Sequence, residues 1–236
     1  MSLDPFLAID TEFTWDGVEP VDRRTGEIRF PHPPLAHIAV IGFCSVSAKV
    51  IKCGVIAGET ERDRVAKFVD VWERSLLPIV TFNGRSCDVP LIFARCMHYG
   101  IPAVEFARNV VFTNRYRSPG HIDLYDQLGN YGAQRAGGLD DWARCVGWPG
   151  KLEMDGSKVG EALRTPEGRR VVEAYCIADA VQTAAVRLRF DLVTGALSRE
   201  LYLETARRLI TAATPELSGL VDISNWLLGE SRQVTS

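Results

Sequence analysis

The sequence predicts a single α/β domain in which helices pack on both faces of a mixed sheet. Three short apolar segments typical of strands come before the first helical segment, strand and helix then alternate, and the part after about residue 139 is helical in pattern. This order favours a sheet with both parallel and antiparallel neighbours. The chain of 236 residues is long enough to bury such a core, and no internal repeat divides it.

Five strands are expected where β-branched or apolar runs are bounded by turn residues. The first covers residues 6–9 and ends at Asp10. A long irregular loop is expected over residues 14–35, where the composition shifts to Pro, Gly, Arg and Asp. The other four strands are predicted over residues 37–46, 49–56, 78–82 and 121–124.

Helices are predicted where apolar residues recur every three or four positions. Residues 59–77 show this spacing and carry acidic side chains in the first turn, as the helix dipole favours. The remaining helices are predicted over residues 89–98, around Trp142, over residues 165–193 and over residues 198–213.

The composition excludes several classes of protein. No run approaches the roughly 18 apolar residues of a membrane span, and the N-terminus lacks the basic start and apolar run of a signal peptide, so we expect a cytoplasmic protein with no membrane partner. The six cysteines form no CxxC pair and are expected to be reduced and mostly in the core. The net charge of −3 argues against a protein that holds nucleic acid simply by being basic.

Three carboxylates follow predicted strands. Asp10 and Glu12 lie two residues apart, so strand geometry directs both to one face while Thr11 points to the other. Two like charges held together favour a bound cation, although an Asp-x-Glu at a strand end is also typical of a solvated loop. Asp88 follows the fourth strand at the end where open α/β sheets bind ligands; the alternative is that it caps the next helix.

A fourth carboxylate lies in the predicted long helix. Tyr175 and Asp179 are four residues apart, which stacks them on one helix face. The alternative is a buried tyrosine hydroxyl bonded to a surface aspartate. Four carboxylates from two strand ends and one helix would form an oxygen-rich site for two divalent cations, which can clamp the attacking and leaving oxygens of a phosphodiester.

Three segments that contain these residues resemble the exonuclease motifs of DEDD-type 3′-5′ exonucleases, in the subclass with tyrosine in the third motif. They are Asp10-Thr11-Glu12, residues 82–88 (Phe-Asn-Gly-Arg-Ser-Cys-Asp) and residues 175–183 (Tyr-Cys-Ile-Ala-Asp-Ala-Val-Gln-Thr). Residues 121–126, 139–140, 149–151 and 154–157 resemble, more narrowly, predicted exonucleases similar to the proofreading domain of family B DNA polymerases. Cys87 departs from the pattern, because the family usually has an aromatic residue there.

The resemblance covers about residues 6–196 of a single domain (1–236), with a helical C-terminal extension over about residues 197–236. It implies a ribonuclease H-like fold, two Mg²⁺ or Mn²⁺ ions, and release of nucleoside monophosphates from a 3′ end; a role in DNA repair would follow. The expected partner is single-stranded DNA or RNA with a free 3′ end. DNA is favoured, but no motif declares a contact to the 2′-hydroxyl.

The resemblance also implies roles for individual residues. Asp10, Glu12, Asp88 and Asp179 would bind the metals, and Tyr175 would position the attacking water. We expect Asp10 to bridge the two ions, with Glu12 and Asp179 on one ion and Asp88 on the other.

Five further residues are expected to contact the substrate: Thr11, Phe13, Asn83, Arg115 and Arg117. Arg115 and Arg117 flank Tyr116, and charge interleaved with an aromatic ring is typical of single-strand binding grooves. A solvated loop is the alternative for this segment.

Two other functions stay open at this point. A non-catalytic nucleic-acid-binding module could keep the same fold, and the loss of any of the four carboxylates or the tyrosine would favour it; all five are present. A domain that binds a small nucleotide without hydrolysis predicts a glycine-rich phosphate loop, which we do not find in the sequence.

Overall fold

The computed structural model describes residues 2–15, 32–117, 119–150 and 158–217. Within these ranges the chain forms a five-stranded sheet in the order β3-β2-β1-β4-β5. The strands are β1 (Phe6–Trp15), β2 (Ala36–Val46), β3 (Ile51–Val55), β4 (Ile79–Thr81) and β5 (His121–Asp123). β1, β2 and β3 pair antiparallel, whereas β4 is parallel to both β1 and β5. The predicted mixed sheet is confirmed.

Eight α-helices are present in the described residues. They are α1 (Glu61–Ser75), α2 (Asp88–Tyr99), α3 (Val104–Phe106), α4 (Leu124–Leu128), α5 (Leu139–Cys145), α6 (Val159–Ala162), α7 (Pro166–Val193) and α8 (Arg199–Leu217). A π-helical turn, Ala107–Val111, follows α3, and short 3₁₀ turns lie at Pro33–Leu35 and Asn130–Gly132. In the part of the chain that the structure describes, no helix has the length and apolar character needed to cross a membrane.

Apolar side chains alternate between the two faces of the sheet and build a core on each. Along β1, Phe6 and Ala8 pack in a cluster with α7 and α8. Ile9 faces the other way and packs in a cluster with α1 and α2, which includes Phe68 and Trp72. Helices therefore cover both faces, as the sequence predicts.

The long helix α7 lies at the centre of the molecule. Thr165 caps its N-terminus by accepting a hydrogen bond from the Gly168 backbone N–H (3.0 Å), and Pro166 occupies the first turn. Every residue over 174–186 is buried. Five of these residues are alanines, so the helix packs closely against its neighbours on all sides.

Two predicted boundaries are wrong. β1 continues past Asp10 to Trp15, because β2 pairs with it as far as Thr14↔His37 and Trp15↔Ala36, so the irregular loop does not begin at Thr14. The last predicted strand is confirmed and ends one residue early, where Leu124 begins α4. The other predicted strands and helices agree with the structure within a few residues. Some predicted segments lie outside the described residues: 16–31 of the loop, Lys151 and 154–157 of the motif segments, and 218–236 of the C-terminal extension.

The candidate active site

A cleft of about 320 Å³ opens beside β1 at the point where β4 ends. β1 pairs with β4 only at Leu7 and Ala8, so the residues that follow in β1 extend beyond the carboxyl end of their parallel neighbour. Ligands of open α/β sheets bind at such a position. The cleft is lined by the five residues expected to be catalytic, Asp10, Glu12, Asp88, Tyr175 and Asp179.

β1 contributes to the cleft from both of its faces. Asp10 and Glu12 share the face that packs against α7, and a β-bulge follows Glu12, an irregularity that often lies next to active sites. Thr11 is on the other face, where its hydroxyl donates a hydrogen bond to Asp88 Oδ1 (2.6 Å). Thr11 therefore connects two of the three motifs, and its expected contact with substrate stays a prediction.

Asp88 is the first residue of α2 and is 5% exposed. The N-cap of α2 is Cys87, so the alternative that Asp88 caps the helix is wrong. The loop before Asp88 is held by Asp123, whose carboxylate accepts hydrogen bonds from the backbone N–H groups of Asn83 and Arg85, both at 2.8 Å. Asp123 at the end of β5 therefore fixes the loop that leads to Asp88.

Tyr175 and Asp179 lie one turn apart on the α7 face that meets β1, as their spacing predicts. Their side chains are hydrogen-bonded, as in the alternative, but Asp179 is buried (4% exposed) and lines the cleft, so it is not a surface aspartate. Gly42 of β2, opposite Asp10, lets α7 approach, since a Cβ there would lie 2.6 Å from the Cys176 carbonyl oxygen. The Cys176 thiol accepts a hydrogen bond from the Gly42 N–H (3.2 Å) and donates to the Asp10 backbone oxygen (3.3 Å). This contact between helix and sheet brings the third motif to the first.

The cleft is strongly acidic. Burial raises the pKa of Asp10 well above its usual range, and the charges of Asp88, Asp179 and Glu12 raise it further. Burial also raises the pKa of Asp88 to about 6, against the opposing hydrogen bond from Thr11. The described residues that line the cleft include no arginine, lysine or histidine. The negative charge of the cleft is thus uncompensated by its own walls.

The pKa of the Tyr175 hydroxyl is raised above its ordinary value, first by burial and then by the charges of Asp179, Glu12 and Asp10. The side chain, which is 2% exposed, keeps its proton at neutral pH. Tyr175 can therefore donate a hydrogen bond in the cleft.

The donor set fits divalent cations. Among the described residues, no three His, Cys, Asp or Glu side chains lie close enough together to coordinate one metal ion as they are placed. The four carboxylates that line the cleft nevertheless supply the hard oxygen ligands that Mg²⁺ and Mn²⁺ prefer. Burial and the mutual repulsion of these carboxylates raise the pKa of Asp10, and bound cations would relieve the repulsion.

Only some of the residues expected to contact the substrate line the cleft. Phe13 and Asn83 line the cleft, as Thr11 does. Arg115 and Arg117 are exposed and are not part of its lining. Arg115 forms an ion pair with Asp126 instead. A contact of either arginine with substrate stays a prediction.

Sequence reasoning missed several residues of the cleft. Tyr125 lines it and packs edge-on against Phe82, with ring centroids 6.0 Å apart. Gly137 and Gly138 also line it, although as a glycine pair they resemble no phosphate loop. In the sequence, the signal for Tyr125 was its place in the segment 121–126, which resembles the exonuclease family. That resemblance assigns no role to any one residue of the segment.

Residues 29–225 match a protein family described as predicted 3′-5′ exonucleases related to the exonuclease domain of PolB. The match spans well over half of the chain. The chain belongs to this family. The match includes the second and third motifs and reaches past residue 196 into the C-terminal extension. It does not include Asp10 and Glu12, whose assignment to the site rests on the geometry of the cleft.

Members of this exonuclease family are expected to share their fold with polymerase proofreading domains, and the structure agrees. The chain is similar to the family B DNA polymerase from the hyperthermophilic archaeon Pyrobaculum calidifontis, with a TM-score of 0.58 and 16% sequence identity. The similarity covers 91% of this chain and 29% of the polymerase, so the chain spans less than a third of that protein's length. The shared fold is the ribonuclease H-like fold. A comparison with curated protein sequences finds no match.

Proposed function

We propose that the protein is a metal-dependent 3′-5′ exonuclease that hydrolyses the terminal phosphodiester bond of single-stranded nucleic acid, with DNA favoured, and releases nucleoside 5′-monophosphates. One observation carries this proposal: four carboxylates and a tyrosine from β1, α2 and α7 converge on one cleft. The cleft volume, about 320 Å³, is at the lower end of the range for ligand pockets and suits one terminal nucleotide.

Asp10, Glu12, Asp88 and Asp179 would hold two divalent cations in the cleft. Bound there, such ions lower the pKa of an attacking water and stabilise the charge on the leaving oxygen. They would also bring the formal net charge from −3 to about +1, with the change concentrated where the phosphate binds. The acidic composition is then compatible with a nucleic-acid substrate.

The remaining residues of the cleft would orient the substrate and the water. The protonated Tyr175 hydroxyl would direct the attacking water by a hydrogen bond. Phe13 and Phe82 place apolar rings in the cleft wall, where a terminal base can pack. The Asp123 carboxylate would keep the loop of Asn83 in place during this packing.

The proposal is tested with 5′-labelled single-stranded DNA and RNA oligonucleotides in Mg²⁺, in Mn²⁺ and in excess chelator. We expect a ladder that shortens from the 3′ end, faster for DNA, and no cleavage in chelator. Asp10→Asn should abolish cleavage. Asp70→Asn, which removes an exposed carboxylate of α1 outside the cleft, should leave cleavage unchanged.

Two outcomes would contradict the proposal in different ways. Cleavage that survives excess chelator would remove the metals from the mechanism. Tight binding of oligonucleotides without cleavage in any metal would instead support a non-catalytic nucleic-acid-binding module with the same fold.

A further inference from the structure

A cluster of one arginine and two tyrosines lies outside the cleft lining. The guanidinium carbon of Arg115 is 5.8 Å from the ring centroid of Tyr116 and 5.9 Å from that of Tyr131. The two rings are 4.7 Å apart and inclined at 54°. Tyr116 is 61% exposed, so its ring is open to solvent. We call these three residues the Arg115 platform.

The backbone that presents Tyr131 is held in an unusual conformation. Asn130, Tyr131 and Gly132 all have positive φ angles, of 46°, 56° and 96°. A bulky residue such as tyrosine adopts this region rarely and at a cost in free energy, and such conformations concentrate at functional sites. The Gly129 carbonyl accepts hydrogen bonds from the backbone N–H groups of Gly132 (3.2 Å) and Gln134 (3.1 Å), which holds the turn in place.

The platform is attached to the rim of the cleft through Asp126. This carboxylate is 8% exposed and binds both Arg115 and the Nε of Arg85, the latter at 3.1 Å. Arg85 belongs to the loop that leads to Asp88, and Tyr125, the neighbour of Asp126, lines the cleft. One buried carboxylate therefore joins the platform to the loop of the second motif.

We propose that the Arg115 platform binds nucleotides on the 5′ side of the terminal nucleotide of a single strand, and thereby sets the substrate length that the enzyme requires. Bases would stack on the rings of Tyr116 and Tyr131, and the Arg115 guanidinium would contact the backbone phosphate. Stacking of this kind tolerates any sequence, because every base has a π-face. A duplex hides its base faces, so the platform favours a single strand. The inference rests on the proposed exonuclease function.

The experiment compares a substrate that fills only the cleft with substrates that also reach the platform. The first is the p-nitrophenyl ester of thymidine 5′-monophosphate; the others are oligothymidylates of increasing length. The variants are Tyr116→Ala and Tyr131→Asn, because asparagine tolerates positive φ and removes the ring. Phe112→Ala is the matched control, since Phe112 is an exposed aromatic residue (73%) outside the platform.

We expect both platform variants to hydrolyse the ester as wild type does. For long oligonucleotides their KM should rise about 5- to 150-fold, the range typical of losing one stacked base. In wild type KM should fall with length up to a threshold, and in the variants this dependence should flatten. Phe112→Ala should behave as wild type on every substrate.

The outcomes separate the two proposals. Platform variants with wild-type KM for long oligonucleotides would overturn the platform while leaving the exonuclease function intact. If wild type hydrolyses neither substrate, the proposed function fails. Fluorescence anisotropy of a labelled oligothymidylate then still tests the platform, because the variants should bind it more weakly than Phe112→Ala does. Equal binding by all of these proteins would reject it.

Discussion

Asp10 shows which parts of the site a sequence can reveal. Its motif, and those of Asp88 and Asp179, could be predicted because each combines a characteristic residue pattern with the correct kind of secondary structure. The hydrogen bond from Cys176 to Asp10 could not be predicted, because the two residues are 166 positions apart and only tertiary packing joins them. The same holds for Asp123, whose partners in the Asn83 loop lie about 40 positions earlier in the chain. Patterns reveal the reacting groups, but the side chains that hold them depend on long-range contacts.

Tyr175→Phe should lower turnover about 10- to 1,000-fold, as the loss of one positioning interaction in a transition state does. The ring and its packing remain, so folding should change little. The effect should fall on kcat more than on substrate affinity. Single-turnover cleavage, compared with oligonucleotide binding in Ca²⁺, measures the two separately.

A matched control for this variant is Tyr202→Phe. The Tyr202 hydroxyl is also buried and accepts hydrogen bonds from Arg189 (2.7 and 3.0 Å), but it lies in α8, outside the cleft lining. Tyr202→Phe should affect stability and leave turnover unchanged. If Tyr175→Phe cleaves as fast as this control, then Tyr175 is only a packing residue.

At the scale of elements, the sequence predicts helices and strands that show a local hydrophobic period. It misses segments that become regular only by pairing with a distant strand. α1 is predicted well because its buried stripe and the acidic side chains of its first turn are both local features. The end of β1 is missed because residues 11–15 become a strand by pairing with β2, which follows after a long intervening segment. The additional length matters, since it carries Glu12 and Phe13 along the wall of the cleft.

Gly42→Ala should displace α7 from the sheet. The added Cβ would lie 2.6 Å from the Cys176 carbonyl oxygen, and the backbone of a buried helix can relieve this only by moving. Overpacking of this kind costs about 1–3 kcal/mol of unfolding free energy. Because the contact also sets the distance between the first and third motifs, we expect turnover to fall together with stability. Chemical denaturation and cleavage assays measure the two effects.

Gly160→Ala serves as the control for this substitution. Its added Cβ would make an ordinary contact with Thr14, at 3.8 Å, and alanine is the better helix former in α6. It should leave both stability and turnover close to wild type. A Gly42→Ala protein that is equally stable and active would show that α7 does not depend on this close approach.

His121 at the start of β5 should make stability depend on pH. Its ring Nε2 lies 2.9 Å from the Thr81 hydroxyl of β4, and burial, with a contribution from the charge of Arg85, lowers its pKa to about 3. Between about pH 3 and the unfolded pKa of 6.5, this histidine is protonated only in the unfolded chain. Its contribution to the unfolding free energy is therefore complete above about pH 6.5 and is lost as the pH falls. Asp10 and Asp88 have raised pKa values, so their contributions to the unfolding free energy change with pH in the opposite direction and are lost as the pH rises.

The quantity to measure is therefore the difference in unfolding free energy between wild type and His121→Gln. The contributions of the carboxylates cancel in this difference. From about pH 7 to about pH 5, the unfolding free energy of wild type should fall by about 2 kcal/mol relative to the variant. Urea denaturation at several pH values gives both curves. Parallel curves would mean that His121 keeps an ordinary pKa in the folded protein.

At the scale of the whole molecule, the helices on the two faces of the sheet contribute different residues to the site. α1 and α2 bury an apolar face and place Asp88, whereas α7 forms the centre of the other core and contributes Tyr175 and Asp179. The site is where these two layers meet at β1. The fold class could be predicted because the order of elements determines the layers. The cleft could not, because it depends on β4 ending where β1 continues.

Divalent cations should raise the melting temperature of the whole domain, because a ligand that binds only the folded state stabilises it by mass action. At a concentration ten times the dissociation constant the gain is about 1.4 kcal/mol, which corresponds to a shift of about 3–6 °C for a domain of this size. Asp88→Ala and Asp179→Ala should each reduce the shift, whereas Asp70→Ala should not. Thermal denaturation in Mg²⁺, in Mn²⁺ and in chelator measures it.

The quantity to compare is the shift within each protein, since the substitutions also act without metal. Removing one of several mutually repelling carboxylates should relieve the repulsion that raises the pKa of Asp10, and this opposes the loss of hydrogen bonds such as that from Thr11 to Asp88. A variant that melts at or above the wild-type temperature in chelator should therefore still gain less from Mg²⁺. Equal shifts in wild type and in both variants would place the cation outside the cleft, and the four carboxylates would then lose their assignment as its ligands.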